Sequence, residues 1–423
     1  MTKKSKPNLS RSFLKMKRQA SLDSLSPVDS KKKAQEYEKK GMALMKKGDL
    51  SGARKYFQLL LDLNERLYGP NSPKIISSLN NLASTLAMSG NSKTAKELFD
   101  RLIANCKDNL PPDHPEALFA LTNTAHNLFN LKDFATAKRL YAKVLAIHER
   151  ELGPADPITL GVASSLASTF AEQGRHKKAI AHFRKILTLQ KNSLGPEHPA
   201  VLTTMSRLGE SLSANKDDKD ARELFVSLLA INEKVFGTES EESIYAMVNL
   251  YNHLESVRDH ETSVSVGQRY LPVMARVLGP DHLLTLNMTN LMAVSLTKLK
   301  HLKKAFDLFN QVMVAYQRLF GPASEITLEM VLNFARCLIV SDDLEKARDI
   351  LAKNLLIAKR FYGIAHHMTY QYWHHLANTL LLLEDEAGFQ DILSRYPMFS
   401  FQKTSSSPIR RFFKGLFNAI FKK

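Results

Sequence analysis

At 423 residues the chain is longer than one compact core usually spans, so it holds several domains or one elongated array. Its hydrophobic share of 44% is that of a soluble protein, and no run of 18 apolar residues offers a transmembrane helix. The net charge of +17 resembles that of a nucleic-acid binder, but residues 1–33 carry +8 and residues 403–423 carry +6, leaving only +3 between them. Without a basic stripe on the folded body, nucleic acid is not an expected partner.

Residues 1–33 read as a basic, Ser-rich disordered tail. They lack an apolar segment of signal-peptide type, so no secretory leader is expected. Lys15-Met16-Lys17-Arg18-Gln19-Ala20-Ser21 and Ser26-Pro27 offer serines beside basic charge, where a phosphate would subtract about two charges. A phosphate-switched contact and an unmodified solvated tail both remain open. Cys106 and Cys337 stand far apart without a CxxC pattern and read as free thiols of a reducing compartment, hence a cytoplasmic location.

From residue 34 to 396 a period of 42 residues runs without a slip. Gly69, Gly153, Gly195, Gly237, Gly279, Gly321 and Gly363 fall on one series, with Pro111 in the remaining place. Glycine suits a left-handed helix end, and a proline four residues on (Pro73, Pro115, Pro157, Pro199) suits a helix start. Two small-residue columns lie twelve apart, as at Ala83 and Ala95 or Ala125 and Ala137, and permit close helix approach. Four residues after the second column comes a ring: Phe57, Phe99, Tyr141, Phe183, Phe225 and Phe309. At i and i+4 each small residue and ring share a helix face, so the ring is expected to fill the space between neighbouring hairpins.

The sixth repeat departs from this pattern. Tyr251 stands in the first small column, Ser263 in the second and Gly267 in the ring column. Repeat drift and a softer joint both account for it. The ninth repeat is short, as a terminal cap is.

Residues 397–408 read as a linker. In 409–423 the apolar residues Ile409, Phe412, Phe413, Leu416, Phe417, Ile420 and Phe421 form one helical stripe flanked by Arg410, Arg411, Lys414, Lys422 and Lys423. This is the pattern of an interfacial amphipathic helix that favours anionic lipid. The expected membrane-binding residues are Arg410, Arg411, Phe412, Phe413, Lys414, Leu416, Phe417, Ile420 and Phe421. Docking onto the last repeat, or onto a partner protein, stays open for the same stripe.

No P-loop, GxSxG, HExxH, GxGxxG or paired-cysteine zinc pattern appears, so neither an enzyme nor a cofactor is expected. His114, His198 and His282 recur in the linkers, where turn capping explains them. His366, His367, His374 and His375 look more suggestive. Seven or eight residues along a helix span roughly 10–12 Å, too far for one ion to be shared across the cluster, and no metal is expected.

The small columns with an A-x-x-x-F spacing, and linkers such as Leu194-Gly195-Pro196-Glu197-His198-Pro199, resemble the tetratricopeptide repeat in the 42-residue form of kinesin light chains. The resemblance implies an all-α, right-handed α-solenoid of about nine helical hairpins with basic tails. Residues 1–33 show no heptads, so the motor-subunit role of a kinesin light chain is not carried over.

The resemblance also implies that the first helix of each hairpin lines a concave groove. That face carries Ser77, Asn80, Asn81, Ser84 and Met88 in the second repeat, Phe119, Thr122, Asn123, His126 and Asn130 in the third, and Gly161, Ser164, Ser165 and Ser168 in the fourth. A side-chain amide both donates and accepts, as an extended peptide requires. Asn80, Asn81, Ser84, Thr122, Asn123, His126, Asn249 and Asn333 are the expected peptide-binding residues, although an Asn in this column can also serve only to bond its neighbouring helix. The expected function is a protein-interaction scaffold gripping a protein or peptide ligand, with the C-terminal helix touching an anionic membrane surface. The alternative is a membrane-peripheral assembly protein whose repeats mediate self-association. Oligomeric state is not legible.

Overall fold

The structure, a computed structural model, describes residues 26–399. The expected membrane-binding segment at 409–423 and most of the N-terminal tail lie outside the described residues. The described residues form 18 α-helices, and within each of the chain's two compact units successive helices pack as antiparallel hairpins. In order they are α1 (Pro27–Lys46), α2 (Leu50–Tyr68), α3 (Ile76–Met88), α4 (Ser92–Asn109), α5 (Pro115–Asn130), α6 (Phe134–Glu151), α7 (Pro157–Glu172), α8 (His176–Leu194) and α9 (Pro199–Ala214). There follow α10 (Asp218–Phe236), α11 (Glu241–Ser256), α12 (His260–Val277), α13 (Leu283–Lys298), α14 (Leu302–Phe320), α15 (Glu325–Val340), α16 (Leu344–Tyr362), α17 (His367–Leu382) and α18 (Glu386–Arg395). Odd-numbered helices open each hairpin and even-numbered helices close it. The chain divides into two compact units, residues 1–221 and 222–423.

α1 starts at Pro27, seven residues ahead of the expected repeat start at 34. Ser26 caps it by accepting the Asp29 N–H at 3.1 Å, and Pro27 supplies a pre-set φ at the first turn. At the other end, a short 3₁₀ turn at Pro397–Phe399 follows α18, so the expected linker at 397–408 begins folded. Phe399 lies against Trp373 and Tyr370, each with ring centroids 5.3 Å apart.

Within a hairpin one residue serves both helices. Lys132, after α5, takes a left-handed φ of 60°, which turns the chain so that the Asp133 N–H donates back to the Leu128 carbonyl at 2.8 Å. This closes the Schellman end of α5. The Asp133 carboxylate then accepts the Thr136 N–H at 3.2 Å and caps α6. Asp49, Asp259 and Asp385 repeat the device.

Between hairpins the linker glycines take positive φ, as expected. The residue ahead of the next helix caps it: His198 Nδ1 accepts the Ala200 N–H at 3.1 Å, and His282 Nδ1 accepts the Leu284 N–H at 3.3 Å. His114 makes no such bond, so the capping expected of it does not hold.

The small columns and rings are buried throughout. At Gly41 a Cβ would stand 2.6 Å from the Phe57 ring, so the ring of α2 excludes even alanine from α1. The sixth hairpin reverses the arrangement. Tyr251 of α11 is fully buried, and a Cβ at Gly267 of α12 would lie 3.3 Å from its Cε2. The ring has moved from the second helix to the first, and the small residue has moved the other way.

Candidate ligand-binding face

In the first unit α3, α5, α7 and α9 lie side by side, each touching the next. On their shared face α7 presents a run of small groups, Gly161, Ser164, Ser165 and Ser168, between the longer side chains of α5 and α9. The mismatch opens a cleft of about 700 Å³, whose lining includes His126 and Phe129 on α5, Ser165, Ser168 and Glu172 on α7, and Arg207 and Glu210 on α9. The cleft reaches Tyr141 and Phe183, members of the buried ring column.

The polar groups of the cleft are held in place. Ser168 Oγ donates to the Ser164 carbonyl at 3.0 Å and accepts Arg207 Nη1 at 2.6 Å. Ser165 Oγ donates to the Gly161 carbonyl at 3.1 Å. Burial pushes the Tyr141 phenol up to about 12, against its bond to Ser165. Burial also raises the Glu210 carboxyl, and the nearby Glu172 charge adds to this, while Ser206 and Arg207 oppose it. The cleft thus offers a fixed guanidinium, two carboxylates, hydroxyls and the imidazoles of His126 and His176 over an aromatic floor. Such a mixture suits a segment that brings both backbone amides and side chains.

Of the expected peptide-binding residues only His126 lines this cleft. Asn80, Asn81 and Ser84 lie on α3, and Thr122 and Asn123 on α5, all half-buried. Ser84 Oγ accepts Asn127 Nδ2 at 3.0 Å, and Thr122 Oγ1 donates to the Leu118 carbonyl at 2.7 Å, so both are engaged within the fold. Asn80 Oδ1 is buried with no hydrogen-bond donor among the described residues. The cleft residues of α7 and α9 other than the serines carried no expectation. Their column positions match those of Asn81 and Ser84, but their identities change to Ser165, Arg207, Ser168 and Glu210.

In the second unit Asn249 is half-buried on α11, and Asn333 sits on α15. Asn333 Oδ1 accepts Arg336 Nη1 at 3.1 Å, and the same guanidinium donates to His375 Nε2 at 3.0 Å and Gln371 Oε1 at 3.5 Å, both on α17. Burial, and then the Arg336 charge, lowers the His375 imidazole to about 4.

Because the folded value lies below the ordinary 6.5, the unfolded chain takes up a proton at His375 that the folded chain refuses. Stability from this group is complete above pH 6.5 and is lost as the pH falls towards 4. Between pH 7 and 5 the expected loss is about 1–2 kcal/mol, the lower figure allowing for solvent screening. Urea unfolding followed by Trp373, the single tryptophan and in the same unit, is the measurement. His375→Asn should flatten the dependence, and an unchanged slope in that variant would assign it elsewhere.

The tetratricopeptide-repeat family model matches residues 34–108, 116–192 and 159–234. No curated protein matches the sequence. Among solved structures, the apo form of the quorum sensor NprR from B. thuringiensis is 13% identical, covers 88% of this chain and 97% of its own, and superposes with a TM-score of 0.54. A putative kinesin light chain from Podosopora anserina, with nearly identical TPR-like repeats, is 21% identical over 49% of this chain and 96% of its own, with a TM-score of 0.45. Among the described residues no helix is long and apolar enough to cross a membrane. The repeats matched at residues 34–108 and 116–234, with the hairpins and the 42-residue register that continue beyond them, show that the chain is built of tetratricopeptide repeats.

Proposed function

We propose that the chain is a protein-interaction scaffold that holds an extended peptide or partner segment against its first helices. The observation that carries this reading is the cleft over α7, with its fixed mixed-charge rim and aromatic floor. A serine-lined helix between two helices bearing long polar side chains leaves room for a backbone and places donors and acceptors on both sides of it. Selection from a random peptide library against the full chain tests the reading. Enriched peptides should bind saturably and compete with one another. Failure to enrich any sequence would overturn it.

The second element of the proposal is a membrane tether at 409–423, supported by the single apolar stripe and its unopposed basic flanks. The full-length chain should sediment with anionic vesicles but not neutral ones, and a chain ending at Ser407 with neither. If both forms stay in solution, the scaffold works without a tether. Sedimentation of the full chain without any peptide ligand in the library screen would favour the alternative, an assembly protein whose repeats pair with one another. A cytoplasmic location fits either reading.

A further inference from the structure

We infer that Glu325, His366 and His367 form a binding site for a divalent transition-metal ion of the zinc class. Seven or eight residues of helix part His366 and His367 from His374 and His375. Those pairs are indeed separate in the structure, since His375 faces Arg336. The third ligand comes instead from the preceding hairpin. Glu325 opens α15, His367 opens α17, and His366 is the residue ahead of it. One ligand atom from each of the three lies within 4.8 Å of the others.

The chemistry of the set is specific. Two imidazoles and one carboxylate suit zinc, nickel or copper better than calcium or magnesium, which take oxygen. Two ligands of a tetrahedral zinc ion stand roughly 3.4 Å apart. His367 Nε2 and Glu325 Oε1 are already 3.1 Å apart. The ring of His366 is fixed by stacking on Tyr362, with centroids 4.7 Å apart, and lies 4.5 Å from the His367 ring. His367 and Glu325 are exposed, so water can complete the coordination sphere.

The site is coupled to the fold in two ways. An ion there joins the start of α15 to the start of α17, clasping the eighth and ninth hairpins where the array ends in the ten-residue α18. It also exchanges a cap. His366 Nδ1 accepts the Met368 N–H at 3.3 Å, so Nε2 carries the ring hydrogen. Bound through Nδ1, the metal takes the accepting lone pair. Bound through Nε2, it moves the hydrogen to Nδ1. Either way the Met368 amide loses its acceptor.

The test is calorimetric titration of the untagged full chain with zinc chloride in a non-coordinating buffer, alongside His367→Ala and Glu325→Gln. One equivalent should bind saturably, and each variant should weaken it at least about tenfold. Zinc should raise the melting temperature of the native chain but not of the variants. The Met368 amide resonance should shift on binding. Absence of a saturable equivalent would leave His367 and Glu325 as an ion pair only. An equivalent retained by both variants would place the metal on other histidines. Either result overturns the assignment.

Discussion

Replacing Tyr251 with alanine should destabilise the second unit by about 3–5 kcal/mol, the cost of deleting a large ring from a closed core. Tyr251 is fully buried, and its hydroxyl lies 3.2 Å from Ser295 Oγ. Gly267 beside it has no side chain to fill the gap. Gly267→Phe in the native background should also destabilise, by about 1–3 kcal/mol or more, because its first carbon already meets Met292 Sδ at 3.1 Å and Tyr251 Cε2 at 3.3 Å. The two changes together restore the arrangement seen at Ala83 and Phe99, with a small residue on the first helix and a ring on the second. The double variant should therefore recover at least about 2 kcal/mol relative to the sum of the singles. Urea unfolding followed at Trp373 measures all three. Strict additivity would mean that the ring has not been exchanged between helices, and that the sixth hairpin is held by something else.

The second large effect concerns the cleft. Ser168→Trp places an indole in the space over α7 and removes the acceptor that fixes Arg207. Peptides selected on the native chain should bind this variant at least about a hundredfold more weakly, a loss of about 2.7 kcal/mol. Asn81→Ala with Asn123→Ala should weaken them by about tenfold, since these amides flank the cleft without lining it. Fluorescence anisotropy with a labelled selected peptide reads both, and circular dichroism shows that each variant is folded. If the asparagine pair matters more than Ser168, the ligand runs along α3 and α5, and the cleft is not its seat.

The fold was legible because its rules repeat. Each linker glycine sits where the backbone must turn left-handed, and each ring sits where two hairpins meet, so the same residue type recurs at 42 residues. The turn inside the hairpin escaped notice for the opposite reason. Its left-handed position is occupied by Gly48, Gly90 and Gly174, but also by Lys132, Lys216, Arg258, Lys300, Asp342 and Glu384. There the Schellman bonds enforce the geometry and the side chain is free to vary. The candidate site was legible in part, through His126 and through Ser165 and Ser168 on the groove face. A search for sameness along a column finds Asn81 and Asn123, whereas the cleft arises from difference, where a run of small residues on α7 meets Arg207 and Glu210 on α9. The metal ligands were hidden because Glu325 lies a whole repeat from the histidines that it meets.

The double duty of Asp133 and its counterparts bears on how such a chain can change length. One residue ends the first helix and begins the second, so there is no slack between them. A single-residue insertion at Lys132 parts the Leu128 carbonyl from its donor and moves the cap away from Thr136 in the same stroke. An insertion of one full period breaks neither bond, because it brings its own turn. The turn therefore acts as a frame check on the gene: the array can lengthen or shorten by gain or loss of whole modules, while small slips are penalised at two helix ends at once.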